Sequence, residues 1–297
     1  MPRPALAAFV LASLSGACAP QVDLPRPDVT LPSGFQTPNV ATAALDIDHW
    51  WTQFEDPQLA TLVTTALARS PTIRIAWSRL AEARAQQGLT AAGTLPSGSL
   101  AVTGTRQGQE GLWGNSTTVP ASDTYTASFL PSWDLDLFGR LSATRDRARI
   151  DLAASSLDFA AARLALAADV ATALVQARSL AAQLADARES VRITGQLAAA
   201  ARLGVTRGLT ARQDLARLEA DAASAEAEVA RLDAELTAAK RLLLIQIGEP
   251  AADTTTLAIA TELPTPPALP ALAPASLLAR RPDVRSSELA LRSAARQ

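Results

Sequence analysis

The chain is poor in the residues that support covalent chemistry: its 297 residues contain one cysteine and one histidine. Cys18 alone cannot close an intrachain disulfide, and no Cys, His or acidic cluster stands near His49 at metal-ligand spacing, which leaves it as a surface or interface histidine. There is no nucleophile elbow and no P-loop. Carboxylates such as Asp221, Glu228 and Glu235 fall on solvated helix faces beside arginines, so the sequence calls for no catalysis, cofactor or metal. Aromatic residues make up only 4% of the chain, too few for a thick globular core and better suited to close-packed, alanine-rich helices. An excess of basic charge is missing as well. With a formal net charge of -2 and both signs interleaved, the chain offers no patch for nucleic acid.

What the chain does have is heptad rhythm, concentrated between Gly139 and Gly248. Leu215, Leu218, Ala222, Ala225, Val229, Leu232, Leu236, Ala239 and Leu243 alternate at spacings of three and four, the seam of a coiled coil. Leu166, Val170, Ala173, Ala177, Leu180, Leu184, Ala187, Val191, Ala198 and Ala201 keep the same rhythm, with Thr194 the one polar member. The break Gly204-Val205-Thr206-Arg207-Gly208 lies between the two seams, which predicts an antiparallel helical hairpin, with Thr210 and Gln213 placed as a capping box for the second arm. At about 1.5 Å per residue the first arm runs roughly 95 Å and the second about 55 Å, so the long arm needs a further partner. The periodic segment from Asp56-Pro57 to Gly88 is the candidate. It reads as one helix of roughly 50 Å, capped by Asp56 and stacked end to end with the second arm. Trp50, Trp51 and Phe54 read as a packing anchor for its start.

Residues 1–17 read as an export signal whose apolar core, Ala5 to Leu14, is too short to span a bilayer as a mature helix. Leu14-Ser15-Gly16-Ala17-Cys18 is similar to a bacterial lipobox, with Ser15 at the position usually held by leucine. The other reading is a cysteine at the end of an ordinary cleaved signal. Ala19 after the cysteine favours the outer membrane. Residues 18–48 then form a tether, with Pro20, Pro25, Pro27, Pro32 and Pro38 keeping it extended.

After Gly93 the period changes to two. Leu100 and Val102 oppose Ala101, Thr103 and Thr105 within Ser97 to Gln107. In Thr124 to Leu135, Tyr125, Ala127, Phe129, Trp133 and Leu135 oppose Thr126, Ser128, Ser132 and Asp134. Each run is about ten residues, the length of a tilted transmembrane strand, with a Gly-, Asn- and Ser-containing loop from Gly108 to Ser122. Two strands close no barrel, so strands crossing a membrane would need partners from other copies, and a small soluble hairpin packed on the helices is the alternative.

Trp133-Asp134-Leu135-Asp136-Leu137-Phe138-Gly139-Arg140 resembles the strand-to-helix junction of the TolC/OprM-like outer-membrane factors, specifically the NodT-type lipoproteins of tripartite efflux systems. Trp50-Trp51 with Phe54, Asp56, Pro57 and Leu59, and Arg280-Arg281-Pro282-Asp283-Val284-Arg285, resemble two further signatures in the expected order. The resemblance implies a mainly α fold with a small β part: antiparallel coiled-coil helices forming a periplasmic tunnel, two transmembrane strands per repeat, and a barrel closed by a homotrimer. It implies lipid attachment at Cys18 in the outer membrane, passive exit of small molecules or drugs, and two partners, a periplasmic adaptor protein and an inner-membrane pump. It also makes Gly208, Thr210 and Asp214 the expected adaptor-docking tip, where Gly204 replaces an arginine common in the family.

An internal repeat is visible at an offset of 211 residues. Pro71 aligns with Pro282, and Leu67, Arg69, Arg74, Leu80, Ala83 and Gln86 match Leu278, Arg280, Arg285, Leu291, Ala294 and Gln297. This divides the chain into a first repeat over 49–262 and the opening of a second over 263–297, which reads as a fragment or the product of a truncated gene. The expected function is an outer-membrane efflux channel subunit. Its alternatives are a truncated, non-conducting fragment and a periplasmic adaptor or coiled-coil scaffold lipoprotein.

Overall fold

The computed structural model describes residues 46–109, 119–267 and 280–295, which fall into two compact units. The larger unit is organised by a carboxylate. Asp56 accepts hydrogen bonds from the N–H groups of Gln58 and Leu59, at 3.0 and 3.1 Å, and with Pro57 in the first turn it starts helix α1 (Pro57–Arg69) as the sequence predicts. The expected single helix to Gly88 does not form. Pro71 disfavours helical geometry at Ser70, which sits at φ -58°, ψ 133°, and a second helix, α2 (Pro71–Ala92), starts there. Ser70 is buried. Its N–H donates to the Ala66 carbonyl and its own carbonyl accepts from Arg74 N–H, so the break leaves neither backbone group unsatisfied.

Upstream, a 3-10 turn (Ile47–Phe54) carries the aromatic anchor. Trp51 is buried in the core, and the Trp50 ring meets Trp51 and Phe54 edge to face, with centroids 6.2 and 5.8 Å apart.

The coiled-coil arms are α3 (Arg140–Thr206) and α4 (Arg212–Gln246). Every residue of both predicted seams is buried or half-buried. Thr194 is tolerated among them because its hydroxyl donates to the Ser190 carbonyl at 2.9 Å, the usual back-bond of a helical threonine. Two apolar clusters result. Leu180, Leu184 and Leu232 form one. In the other, Leu166, Val170, Ala173, Leu174 and Ala177 of α3 meet Leu59, Leu62, Val63 and Ala66 of α1 and Leu243 and Leu244 of α4. Helix α1 therefore flanks the last turns of α4 instead of stacking beyond them.

Two contacts fix this overlap. Gly248, in the left-handed region at φ +81°, lies so close to α1 that a Cβ there would come within 2.7 Å of the Arg69 carbonyl oxygen, and Glu249 pairs with the Arg69 guanidinium. At the other end of α1, Arg178 of α3 donates to both Asp56 carboxylate oxygens, at 2.5 and 3.0 Å, and to Gln58 Oε1 at 2.9 Å. The side chains of this ion pair are 7% and 8% exposed. Burial pushes the Asp56 carboxyl up, but the Arg178 hydrogen bond and charge, with the Leu59 and Gln58 N–H groups, outweigh it and hold the group below its ordinary range. Farther along, Trp77 of α2 meets Phe159 of α3 edge to face at 5.9 Å.

The smaller unit contains an antiparallel hairpin of β1 (Ser97–Gln109) and β2 (Val119–Ser132). Both strands are longer than expected at the loop end, and β2 stops before Trp133 and Leu135, which the periodicity had placed in the strand. The Asp136 carboxylate ends it by accepting from Leu141 N–H and Ser142 N–H at 3.0 and 2.8 Å, which turns the chain into α3. Helix α5 (Pro282–Ala294) opens on the proline that the internal repeat aligns with Pro71. The Ser293 hydroxyl of α5 is buried and donates to Asp151 at 2.5 Å.

Candidate functional surfaces: the strand hairpin and the helical tip

Strand register decides which side chains share a face. Leu100 pairs with Phe129, Val102 with Ala127 and Gly104 with Tyr125, so most of the large apolar residues of the two strands lie on one side. Thr103 pairs with Thr126, Thr105 with Thr124 and Ala101 with Ser128, which makes the opposite side mostly small and hydroxylated, with Leu130 opposite Ser99 its one large apolar residue. Neither side is covered by the described residues: Leu100, Val102, Tyr125 and Phe129 are 67–80% exposed. A lone two-stranded ribbon is marginal in water, and an apolar face alternating with a polar one is the pattern of a barrel strand between lipid and lumen.

The glycines of β1 serve this face. A Cβ at Gly98 would come within 2.8 Å of the Phe129 ring and one at Gly104 within 3.2 Å of the Tyr125 ring, so each aromatic lies over the space that a glycine leaves open. This cross-strand pairing was not legible in the alternation of either strand alone.

The junction motif from Trp133 to Arg140 has a physical reading. Asp136 is the helix cap, and its carboxyl is held below its usual range chiefly by the Leu141 N–H, with Ser142 adding both its N–H and its hydroxyl. Gly139 turns the chain at φ +77°. Arg140, the first residue of α3, pairs with Asp134 at 3.4 Å.

At the tip of the arms, Gly208 adopts φ +72°. Its N–H donates to the Val205 carbonyl while Leu209 N–H donates to Gly204 O, the two bonds of a Schellman termination. The expected capping box is absent. Ala211 is the residue before α4, with no side-chain cap, because Thr210 is turned back onto Gly204, where any Cβ would collide with its hydroxyl. That contact gives a local reason for glycine at 204. Asp214 lies in the first turn of α4, where the helix dipole favours a carboxylate. The expected tip residues thus divide: Thr210 packs inward, whereas Gly208 and Asp214 are exposed. Leu209, which the sequence reading passed over, is 79% exposed. Arg202 joins the arms by pairing with Glu219 at 2.5 Å. Cys18 lies outside the described residues, and no cluster fit to hold a metal occurs among those described.

The chain matches the model of the outer membrane efflux protein family over residues 62–248. It is 27% identical over 276 residues to the pyoverdine export outer membrane protein OpmQ of Pseudomonas putida, covering 91% of this chain and 59% of that protein. It is also 27% identical over 285 residues to nodulation protein T of Rhizobium leguminosarum, covering 93% of this chain and 59% of the relative. The open-state MtrE outer membrane channel of Neisseria gonorrhoeae matches with a TM-score of 0.73 and 26% identity, over 93% of this chain and 61% of that one. The chain thus spans about three fifths of the length of these relatives. With the family model covering more than half of the residues, including both coiled-coil arms and the strand hairpin, the chain belongs to the outer membrane efflux protein family.

Proposed function

We propose that the chain is a subunit of an outer-membrane exit duct in a tripartite efflux system. The β1–β2 hairpin contributes strands to a barrel completed by strands from other repeats or copies, a homotrimer in the family's usual form. The α3–α4 arms contribute to a periplasmic tunnel wall. Cys18 carries the lipid that adds an anchor in the outer membrane, and the Gly208–Asp214 turn, with exposed Leu209, faces a periplasmic adaptor linked to an inner-membrane pump. Passage is passive, with energy coming from the pump.

One observation carries this reading: a hairpin with one apolar and one mostly hydroxylated face, neither covered by the described residues, within a chain of the efflux family. A periplasmic adaptor or scaffold has no use for such a ribbon. Cargo is a separate question. The two relatives are named for pyoverdine export and for nodulation at the same 27% identity, so neither name transfers to this chain.

The test is expression in a Gram-negative host followed by membrane fractionation and planar-bilayer recording. The chain is expected in the outer-membrane fraction, and the purified oligomer is expected to conduct. A chain recovered from the soluble periplasm, with no conductance after reconstitution, overturns the reading.

A further inference from the structure

The apolar face of the hairpin has two ends, and each is marked chemically. Continuing along it past Gly104 and Tyr125, the next pair in register is Arg106 and Asp123, whose charges meet across the strands at 3.7 Å. The other way, past Phe129 and Pro131, the strand ends at Ser132, and the first residue beyond it is Trp133, 60% exposed. From Asp123 to the strand end at Ser132 is nine residues, about 31 Å of extended chain, or about 23 Å of height at the usual barrel tilt of about 40°. That matches the roughly 25 Å lipid-facing band of outer-membrane barrels. Between the two marks this face carries no charge: Leu100, Val102, Ala127, Phe129, Tyr125, the two glycines and Pro131 are all it presents.

We infer that the Arg106–Asp123 pair lies at the phosphate-bearing headgroup layer of the outer leaflet, with Tyr125 just beneath it and Trp133 at the inner interface. The assignment of leaflets rests on the channel reading. The hairpin is entered from α2 and left into α3, so the Ser97–Ser132 end faces the periplasm and the Gln109–Val119 end faces outward. The partner of this face is the bilayer itself, acyl chains over Leu100, Val102 and Phe129 and headgroups around the charged pair. A charged pair is tolerated here because its cost falls steeply from midplane to interface, and aromatic rings gather at both interfaces for their amphipathic character. On the other face, the uncharged stretch from Ser97 to Thr105 and from Thr124 to Ser132 gives no comparable boundary.

Nitroxide scanning tests this directly. Single cysteines at 100 to 106 and at 123, in the Cys18→Ser chain, are spin-labelled and reconstituted in phospholipid vesicles. Collision with oxygen is then compared with collision with a water-soluble nickel chelate. Labels at 100 and 102 are expected to favour oxygen, and labels at 106 and 123 to be at least about threefold more accessible to nickel than the label at 102. Labels at 103 and 105 are expected to favour nickel. If the alternation appears but 106 and 123 are as shielded from nickel as 102, the boundary assignment falls while the hairpin remains a membrane element. If no position favours oxygen, the channel reading falls with it.

Discussion

At the scale of single residues, Asp56 joins two roles that the sequence shows separately. Its position before Pro57 marks it as a cap, but nothing within ten residues hints that the same carboxylate is neutralised by Arg178, 122 positions away. The only signal was an arginine in the alanine- and leucine-rich stretch where the seam is deepest. Because the pair is buried, its removal from one side is costly. Arg178→Met strands a buried carboxylate and is expected to destabilise the chain by about 3–5 kcal/mol, read as a drop in the urea midpoint followed by circular dichroism. Acid gives a second readout. The Asp56 carboxyl is held below its ordinary 3.8, so its contribution is present above about pH 4 and is lost as the pH falls below that value. The wild-type midpoint should fall below about pH 4 by more than that of Arg178→Met, which has no pair left to lose. Equal pH slopes would show that the pair contributes nothing to acid stability.

At the scale of elements, the sequence revealed the long repeats well and the places where they stop less well. The seams of α3 and α4 were legible because a coiled coil buries every third or fourth side chain, whereas Ala167, Leu174 and Leu244, buried outside the seams, belong to the cluster shared with α1, which no heptad shows. The break in the first helix was missed although Pro71 stands at it and aligns with Pro282, the start of α5. Apolar spacing carried the helix reading across the proline, and backbone sterics at Ser70 decided against it. The capping box failed because Thr210 has a nearer partner in Gly204, a tertiary contact that no local pattern reports. The two helix-ending glycines differ in the same hidden way, although both are Schellman residues with positive φ. A Cβ at Gly208 would meet nothing within 4 Å, whereas one at Gly248 would abut the Arg69 backbone. Gly208→Ala is therefore expected to cost about 1–2 kcal/mol, the strain of a left-handed alanine alone. Gly248→Ala should add about 1–3 kcal/mol more from the overlap with α1, and thermal unfolding of the two variants gives the order. Equal losses would mean that α1 does not press on the end of α4.

At the scale of the whole molecule, the strand hairpin, Ser97–Ser132, supplies no residue to either of the buried apolar clusters seen among the described residues, and it leaves its largest side chains uncovered. The sequence alternation had already shown two-faced strands. What it lacked was the cross-strand register that turns two alternating strands into one apolar surface. That surface and the proposed lipid at Cys18 are then independent holds on the membrane, which can be removed one at a time. Replacing 97–132 by a short Gly-Ser linker should leave the helical circular dichroism of the coiled coil intact, and the chain should remain membrane-bound through the lipid. Cys18→Ser alone should also stay bound and resist carbonate extraction, because strands inserted in a barrel are not peripheral. Only the combination should release a folded helical chain into the soluble fraction. If Cys18→Ser alone releases a chain whose hairpin is intact, β1 and β2 do not enter the bilayer, and their apolar face must be covered by protein instead.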